Sequence, residues 1–345
     1  MLTDRLEGKW LDCFEEVLAL SAVKKGESVA ILSESQSRAL NVQLVELALH
    51  RLGAKAYHVI VPTPAQTLPV PVRSTGASNA LAGQDAVVKA LAAADMVVDL
   101  TVEGLLHAPE LPGVVRGGTR MLFISNEHPE ALERLKPDPE LGARVDGAIA
   151  MMKAASELRV TSPGGTDLIV DVSGAPVGGA RGFAAAPKSV DHWPGGLVAC
   201  FPRAGSVNGR IVLDRGDLNL TFKRYVEEPI TLQIEDDFVT TVEGRGVDAE
   251  LLRSYFEVWG DRNAYATSHV GWGLNERARW DAVTMYDKRD MNGTEQRTFA
   301  GNFLYSTGAN QFAKRFTLGH FDLPMRHCTV LLDNRPVVED GKLVG

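Results

Sequence analysis

The chain has 345 residues, 45% of them hydrophobic and 23% charged, with a formal net charge of −8. That length exceeds what one hydrophobic core usually serves, so two domains are expected. An acidic balance with Lys and Arg scattered rather than clustered argues against nucleic-acid binding, and no apolar run is long enough to cross a bilayer.

Apolar residues recur at helical spacing over 2–23 (Leu6, Trp10, Cys13, Phe14, Val17, Leu18), and a run of β-branched and apolar residues follows at 28–32. The pattern repeats as a helix over 37–52, a strand over 56–61, a helix over 84–93 and strands over 96–100 and 121–124. Alternation of this kind predicts a parallel sheet with helices on both faces. Two more helices, over 129–135 and 139–157, close the first half.

The texture then changes to short strands with turn signals between them. Strands are expected over 158–161 and 167–172 around Pro163-Gly164-Gly165, over 210–213 after an Asn208-Gly209 turn, and over 230–235. One helix, over 248–258, stands among them. The expectation is an α/β fold: a parallel-sheet domain over 1–157, then a mainly antiparallel β (α+β) metal-binding domain over 158–345.

Three cysteines, Cys13, Cys200 and Cys328, form no CxxC pair, so no disulfide framework or zinc knuckle is indicated and a reducing, cytoplasmic setting is expected. Asp4 and Glu7 are out of place in a secretory n-region. The first strand-to-helix turn, Ser33 to Ser37, lacks the glycines of a dinucleotide site. The loop Gly178-Gly179-Ala180-Arg181-Gly182 lacks the Lys-Ser/Thr of a P-loop, and no GxSxG elbow occurs.

Chemistry concentrates in four segments. In Gly319-His320-Phe321-Asp322, an extended backbone puts His320 and Asp322 on one face with alpha carbons roughly 6.5–7 Å apart, close enough to converge on one cation. Alone, such a pair is more often two solvated side chains than a metal site. Ser268-His269-Val270-Gly271-Trp272-Gly273 offers another imidazole beside glycines that allow close backbone packing. Two histidines and a carboxylate suit iron(II) with three open positions, and equally a hydrolytic zinc. Asp191-His192-Trp193-Pro194 reads either as a rigid wall for a small planar ligand or as a structural turn. His107 follows the 96–100 strand, where open parallel sheets bind ligands, and imidazole is the usual general base near neutral pH. His50, His58, His128 and His327 read as structural.

These segments, together with Gly301-Asn302-Phe303-Leu304-Tyr305-Ser306-Thr307-Gly308, resemble the 2,5-dihydroxypyridine 5,6-dioxygenases of bacterial nicotinate breakdown, and the likeness runs nearly end to end. The resemblance implies that His269, His320 and Asp322 hold Fe(II), that His107 deprotonates the ring hydroxyl and that His192 lies against the substrate. It implies a small aromatic substrate cleaved with O2 to an N-formylmaleamate-type product, in a homo-oligomer. The fold looks more distantly like that of the aminopeptidases T, which use added glutamates to hold two metals. A metal-dependent aminopeptidase-like hydrolase is therefore the alternative, with Glu227, Glu228 and Glu276 as candidate carboxylates. Where the family leads one to expect a substrate-holding glutamate, this chain has Ala180, followed by Arg181 at a usually aromatic place. Losing an acceptor and gaining a cation would favour a ring bearing a carboxylate or a further oxygen.

Overall fold

A computed structural model describes residues 4–70, 77–124 and 126–344. Five parallel strands form the first sheet, in the order Lys55–Val61, Ser28–Glu34, Met96–Asp99, Arg120–Ile124, Val190–Trp193. Helices cover both faces, which is why Ser28–Glu34 and Met96–Asp99 are buried almost without interruption. The helix expected over 2–23 forms as Gly8–Leu20, and positions 2–3 lie outside the described residues. It buries Trp10, Phe14, Val17 and Leu18. Helices Pro129–Arg134 and Pro139–Ala154 each begin on a proline, a residue pre-set for the first helical turn, behind caps in which His128 accepts from Glu130 N and Asp138 from Leu141 N.

Among the described residues the remaining strands make an eight-stranded and a five-stranded antiparallel sheet and a two-stranded pair, Leu218–Asn219 with Arg224–Tyr225. The hairpin at Pro163-Gly164-Gly165 joins Glu157–Thr161 to Asp167–Asp171, and both strands alternate buried with more exposed positions as a half-covered sheet requires. A separate helix, Gly246–Trp259, stands where one was expected. The expected boundary lies after residue 157, and the antiparallel strands begin with Glu157–Thr161. The later chain nevertheless returns to the parallel sheet once, through Val190–Trp193, so that sheet draws on both sides of the boundary.

Asn208-Gly209 is a correction. It is no hairpin turn but lies inside the single strand Val207–Leu213, paired with Asp167–Asp171. Gly209 has φ +126°, and a β carbon there would stand 2.3 Å from the carbonyl oxygen of Asp167. The glycine serves the close approach of two backbones. Gly209→Ala should therefore lose about 2–4 kcal/mol of unfolding free energy, the range for strain combined with steric overlap, measurable as a lowered denaturant midpoint. An unchanged midpoint would contradict this packing.

Candidate active site

The five-stranded sheet runs in the order Phe321–Met325, Phe303–Thr307, Thr267–Gly273, Leu197–Cys200, Val177–Ala180. All of Thr267–Gly273 is buried. A β carbon at Gly271 would meet Val198 O at 1.9 Å, so the glycine after His269 allows the neighbouring strand to pair. His269 lies opposite Ser306, and Ser306 opposite Asp322, giving a row across three strands. That row depends on a bulge between Thr267 and His269, because regular pairing from Thr267–Thr307 would have put Ser268 opposite Ser306. His320 immediately precedes the Phe321–Met325 strand, and its carbonyl accepts from Thr221 Oγ1 (3.1 Å) and Tyr255 Oη (3.2 Å).

From the opposite side come the carboxyl ends of parallel strands. Asp99, the last residue of its strand, accepts from Thr101 N (2.8 Å), Thr101 Oγ1 (2.6 Å) and Leu105 N (2.9 Å), and so shapes the loop carrying His107. His192 lies in Val190–Trp193 and stacks on Phe123, ring centroids 4.5 Å apart. Asp191 accepts from the backbone of Arg181 (2.6 Å) and Gly182 (2.8 Å), tying the glycine loop to this strand.

One cavity is lined by all five side chains singled out in the sequence, His107, His192, His269, His320 and Asp322. The ring of His107 lies 5.6 Å from that of His269 and 5.1 Å from that of His320. His269 Nε2 is 3.7 Å from Asp322 Oδ1, and His320 Nε2 is 3.2 Å from Asp322 Oδ2. Val102, Leu106, Phe123, Ile124, Ala180 and Leu197 supply apolar walls.

The hydrogen bonds around His269 assign its tautomer. Ser268 Oγ has one proton and donates it to the carbonyl of Ala309, so at His269 Nδ1 (3.0 Å) it must accept. Nδ1 then carries the hydrogen, leaving the Nε2 lone pair toward Asp322. His192 Nε2 and His320 Nδ1 are buried with no hydrogen-bond partner among the described residues.

Burial favours neutral imidazoles here. It lowers His107 well below the ordinary histidine value, with His320 and His269 adding repulsion, and takes His269 to about 4 and His192 to about 3. Burial alone would raise the Asp322 carboxyl, but Arg297 and then His320 and His269 outweigh it and hold it well below the usual carboxylate range. Burial lifts Asp99 to about 6 and Asp191 to about 7 against the hydrogen bonds they accept.

Arg297 has no counterpart in the sequence reading. It sits in the short helix Thr294–Thr298, whose preceding backbone amides at Asn292, Gly293 and Thr294 donate to the buried Glu127 carboxylate at 2.8, 3.0 and 3.1 Å. Its Nε donates to Asp322 Oδ2 at 2.5 Å, and Ser306 Oγ donates to Asp322 Oδ1. No motif marks this residue in the sequence. Arg181, by contrast, is no cavity cation: it reaches Asp146 and Asp191. Ala180 does line the cavity. Glu227, Glu228 and Glu276 are absent from the lining, and Glu276 pairs with Arg144 at 3.1 Å.

As the side chains stand, no group of three or more His, Cys, Asp or Glu among the described residues is arranged to hold a metal ion. The two imidazoles face different oxygens of Asp322. Adjacent ligands at ~2.1 Å from one ion lie ~3 Å apart, a span His320 and Asp322 already have and His269 would reach by closing less than ~1 Å. Donor types, the His320–Asp322 spacing and the His269 tautomer therefore suit a cation.

Fold and site define an α/β protein with a buried imidazole and carboxylate cavity at the carboxyl ends of its parallel strands. The chain belongs to the family of NicX, 2,5-dihydroxypyridine 5,6-dioxygenase, whose model it matches over residues 9–345. It is 40% identical over 335 residues to the 2,5-dihydroxypyridine 5,6-dioxygenase of Pseudomonas putida KT2440, covering 96% of this chain and 95% of that protein. The solved structure of 2,5-dihydroxypyridine dioxygenase from the same strain superposes with TM-score 0.93 at 38% identity, covering 100% of this chain and 99% of that one. Wild-type AmpT from Thermus thermophilus shares the fold at TM-score 0.65 and 17% identity, over 98% of this chain and 99% of that one.

The low value at His192 has a consequence for stability. Its value falls from 6.5 to about 3 on folding, so as pH drops below 6.5 the unfolded chain takes a proton that the folded chain refuses, and stability is lost. Relative to His192→Gln, the wild type should lose at most about 1.4 kcal/mol per pH unit between pH 6 and 4. The raised carboxyls of Asp99 and Asp191 act in the opposite sense but are common to both proteins. Denaturant unfolding at several pH values measures the difference, and a difference independent of pH would show that His192 is protonated in the folded state.

Proposed function

We propose that the chain is a mononuclear non-haem iron(II) dioxygenase of the extradiol type that opens 2,5-dihydroxypyridine, or a closely related hydroxylated ring, between C5 and C6 to an N-formylmaleamate-type product. The observation that carries this reading is the convergence of His269 Nε2, His320 Nε2 and the Asp322 carboxylate in one apolar-walled cavity. Membership of the dioxygenase family supports the substrate and the reaction.

His269, His320 and Asp322 would hold the iron. When bound, ferrous iron supplies Lewis acidity toward the ring hydroxyl and open positions for ring and dioxygen. His107, kept neutral by its surroundings, accepts the hydroxyl proton. Its place beside the rings of His269 and His320 supports that role. His192 presents a buried nitrogen without a hydrogen-bond partner among the described residues, suited to hydrogen-bond the substrate, and Phe123 stacked behind it limits its motion. The apolar walls exclude water and orient a planar ring.

The same reading makes the protein a cytoplasmic, homo-oligomeric enzyme of N-heteroaromatic breakdown. All three cysteines are buried and free, as suits a reducing compartment. No helix among the described residues is long and apolar enough to cross a membrane.

Anaerobic loading with Fe(II), followed by oxygen-electrode assay with 2,5-dihydroxypyridine, should give one O2 consumed per ring. His320→Ala and Asp322→Ala should each lose bound iron and activity together. His107→Ala should retain iron and lose rate by roughly 10²–10⁴-fold, the range for a general base. Iron retained in both ligand variants, or a normal rate in His107→Ala, would refute the corresponding assignment. Oxygen-independent peptide hydrolysis supported by two divalent ions would favour the hydrolase instead.

A further inference from the structure

Arg297 spends only part of its hydrogen-bonding capacity on the protein. Its Nε donates to Asp322 Oδ2, and its Nη1 donates to Asn292 Oδ1 (3.1 Å) and Thr294 Oγ1 (3.3 Å). Nη2 makes no hydrogen bond to any described residue, although Arg297 lines the cavity and its side chain is only 18% exposed. A guanidinium is a rigid planar fork, so anchoring two of its nitrogens determines where the third points. The anchors are themselves held: Asn292 and Thr294 stand on the amides bound by Glu127, and Asp322 is also gripped by Ser306.

Among the described residues lining the cavity, Arg297 is the only Arg or Lys, whereas Asp99, Glu103 and Asp322 are acidic. Asp99 is already occupied by Thr101 and Leu105. A preformed, partly dry cation with one unused donor is a site for an oxyanion, where a charge-assisted hydrogen bond is strongest.

We propose that Arg297 Nη2 binds the deprotonated 5-oxygen of the ring while Nε holds Asp322, making Arg297 a residue that selects substrates by the oxygen next to the bond that is broken. This rests on the functional reading above. The 5-oxygen is assigned, rather than the 2-oxygen, because Arg297 is anchored on Asp322, at the end of the cavity where the Nε2 atoms of His269 and His320 also converge.

The test is equilibrium binding, without oxygen, to the Fe(II)-loaded protein. Calorimetry would compare 2,5-dihydroxypyridine with 3-hydroxypyridine, which keeps the 5-oxygen, and with 2-hydroxypyridine, which lacks it. Arg297→Gln should weaken the first two by roughly tenfold or more and leave the third within about twofold, at unchanged iron content. Should the glutamine variant lose iron or fail to fold, Arg297→Lys keeps a cation beside Asp322 without the fork and should show the same selective loss. Equal weakening of all three ligands, no weakening, or weakening that follows the 2-oxygen would overturn the assignment. If the wild type bound none of the three, the functional reading would fall, and this assignment with it.

Discussion

The row His269, Ser306, Asp322 across three antiparallel strands is the constraint on which the site depends. Neighbouring strands lie about 4.8 Å apart, so His269 and Asp322 start roughly 9–10 Å apart at the backbone, with the small Ser306 between them. A larger residue at 306 would fill the gap that the imidazole and the carboxylate close. The bulge at Ser268 gives His269 its place in this row, and the displaced serine then holds the imidazole by Nδ1. Backbone irregularity and side-chain chemistry are here one device: the residue that breaks the ladder also selects the tautomer.

Around this row, buried acids do the positioning. Asp99 shapes the loop of His107, Asp191 ties the glycine loop to the strand of His192, and Glu127 gathers the amides in front of Arg297. Each lies buried, where an unpaired charge would be strongly unfavourable, and each accepts several backbone hydrogen bonds. The cavity therefore sits between rigid supports from both halves of the chain. AmpT shares the overall fold at 17% identity, and function is set by the residues of a site rather than by the fold that carries it.

Much of this was legible in the sequence because the signals are local. Period-3.6 and apolar runs located the parallel sheet, the alternation inherent in an extended chain put His320 and Asp322 together, and the strand-end rule placed His107. What could not be read is long-range. The Asn208-Gly209 pair has the composition of a hairpin turn, yet the requirement came from a neighbouring strand crossing close to Gly209. Arg297 occupies a five-residue helix without periodicity, and its importance arises from Asp322, 25 positions away. Set against the family it resembles, the chain gains a cation beside the substrate at Arg181, but Asp146 and Asp191 draw that side chain elsewhere. Register, bulges and competing ion pairs are set by the packed whole.

The central claim is that two imidazoles and one carboxylate share a single ferrous ion. Anomalous diffraction at the iron edge from crystals loaded with Fe(II) under nitrogen tests it most directly. The account predicts one peak per chain, about 2.0–2.2 Å from His269 Nε2, His320 Nε2 and an oxygen of Asp322. A second peak, or a peak that leaves any one of these three side chains out of bonding range, would contradict it.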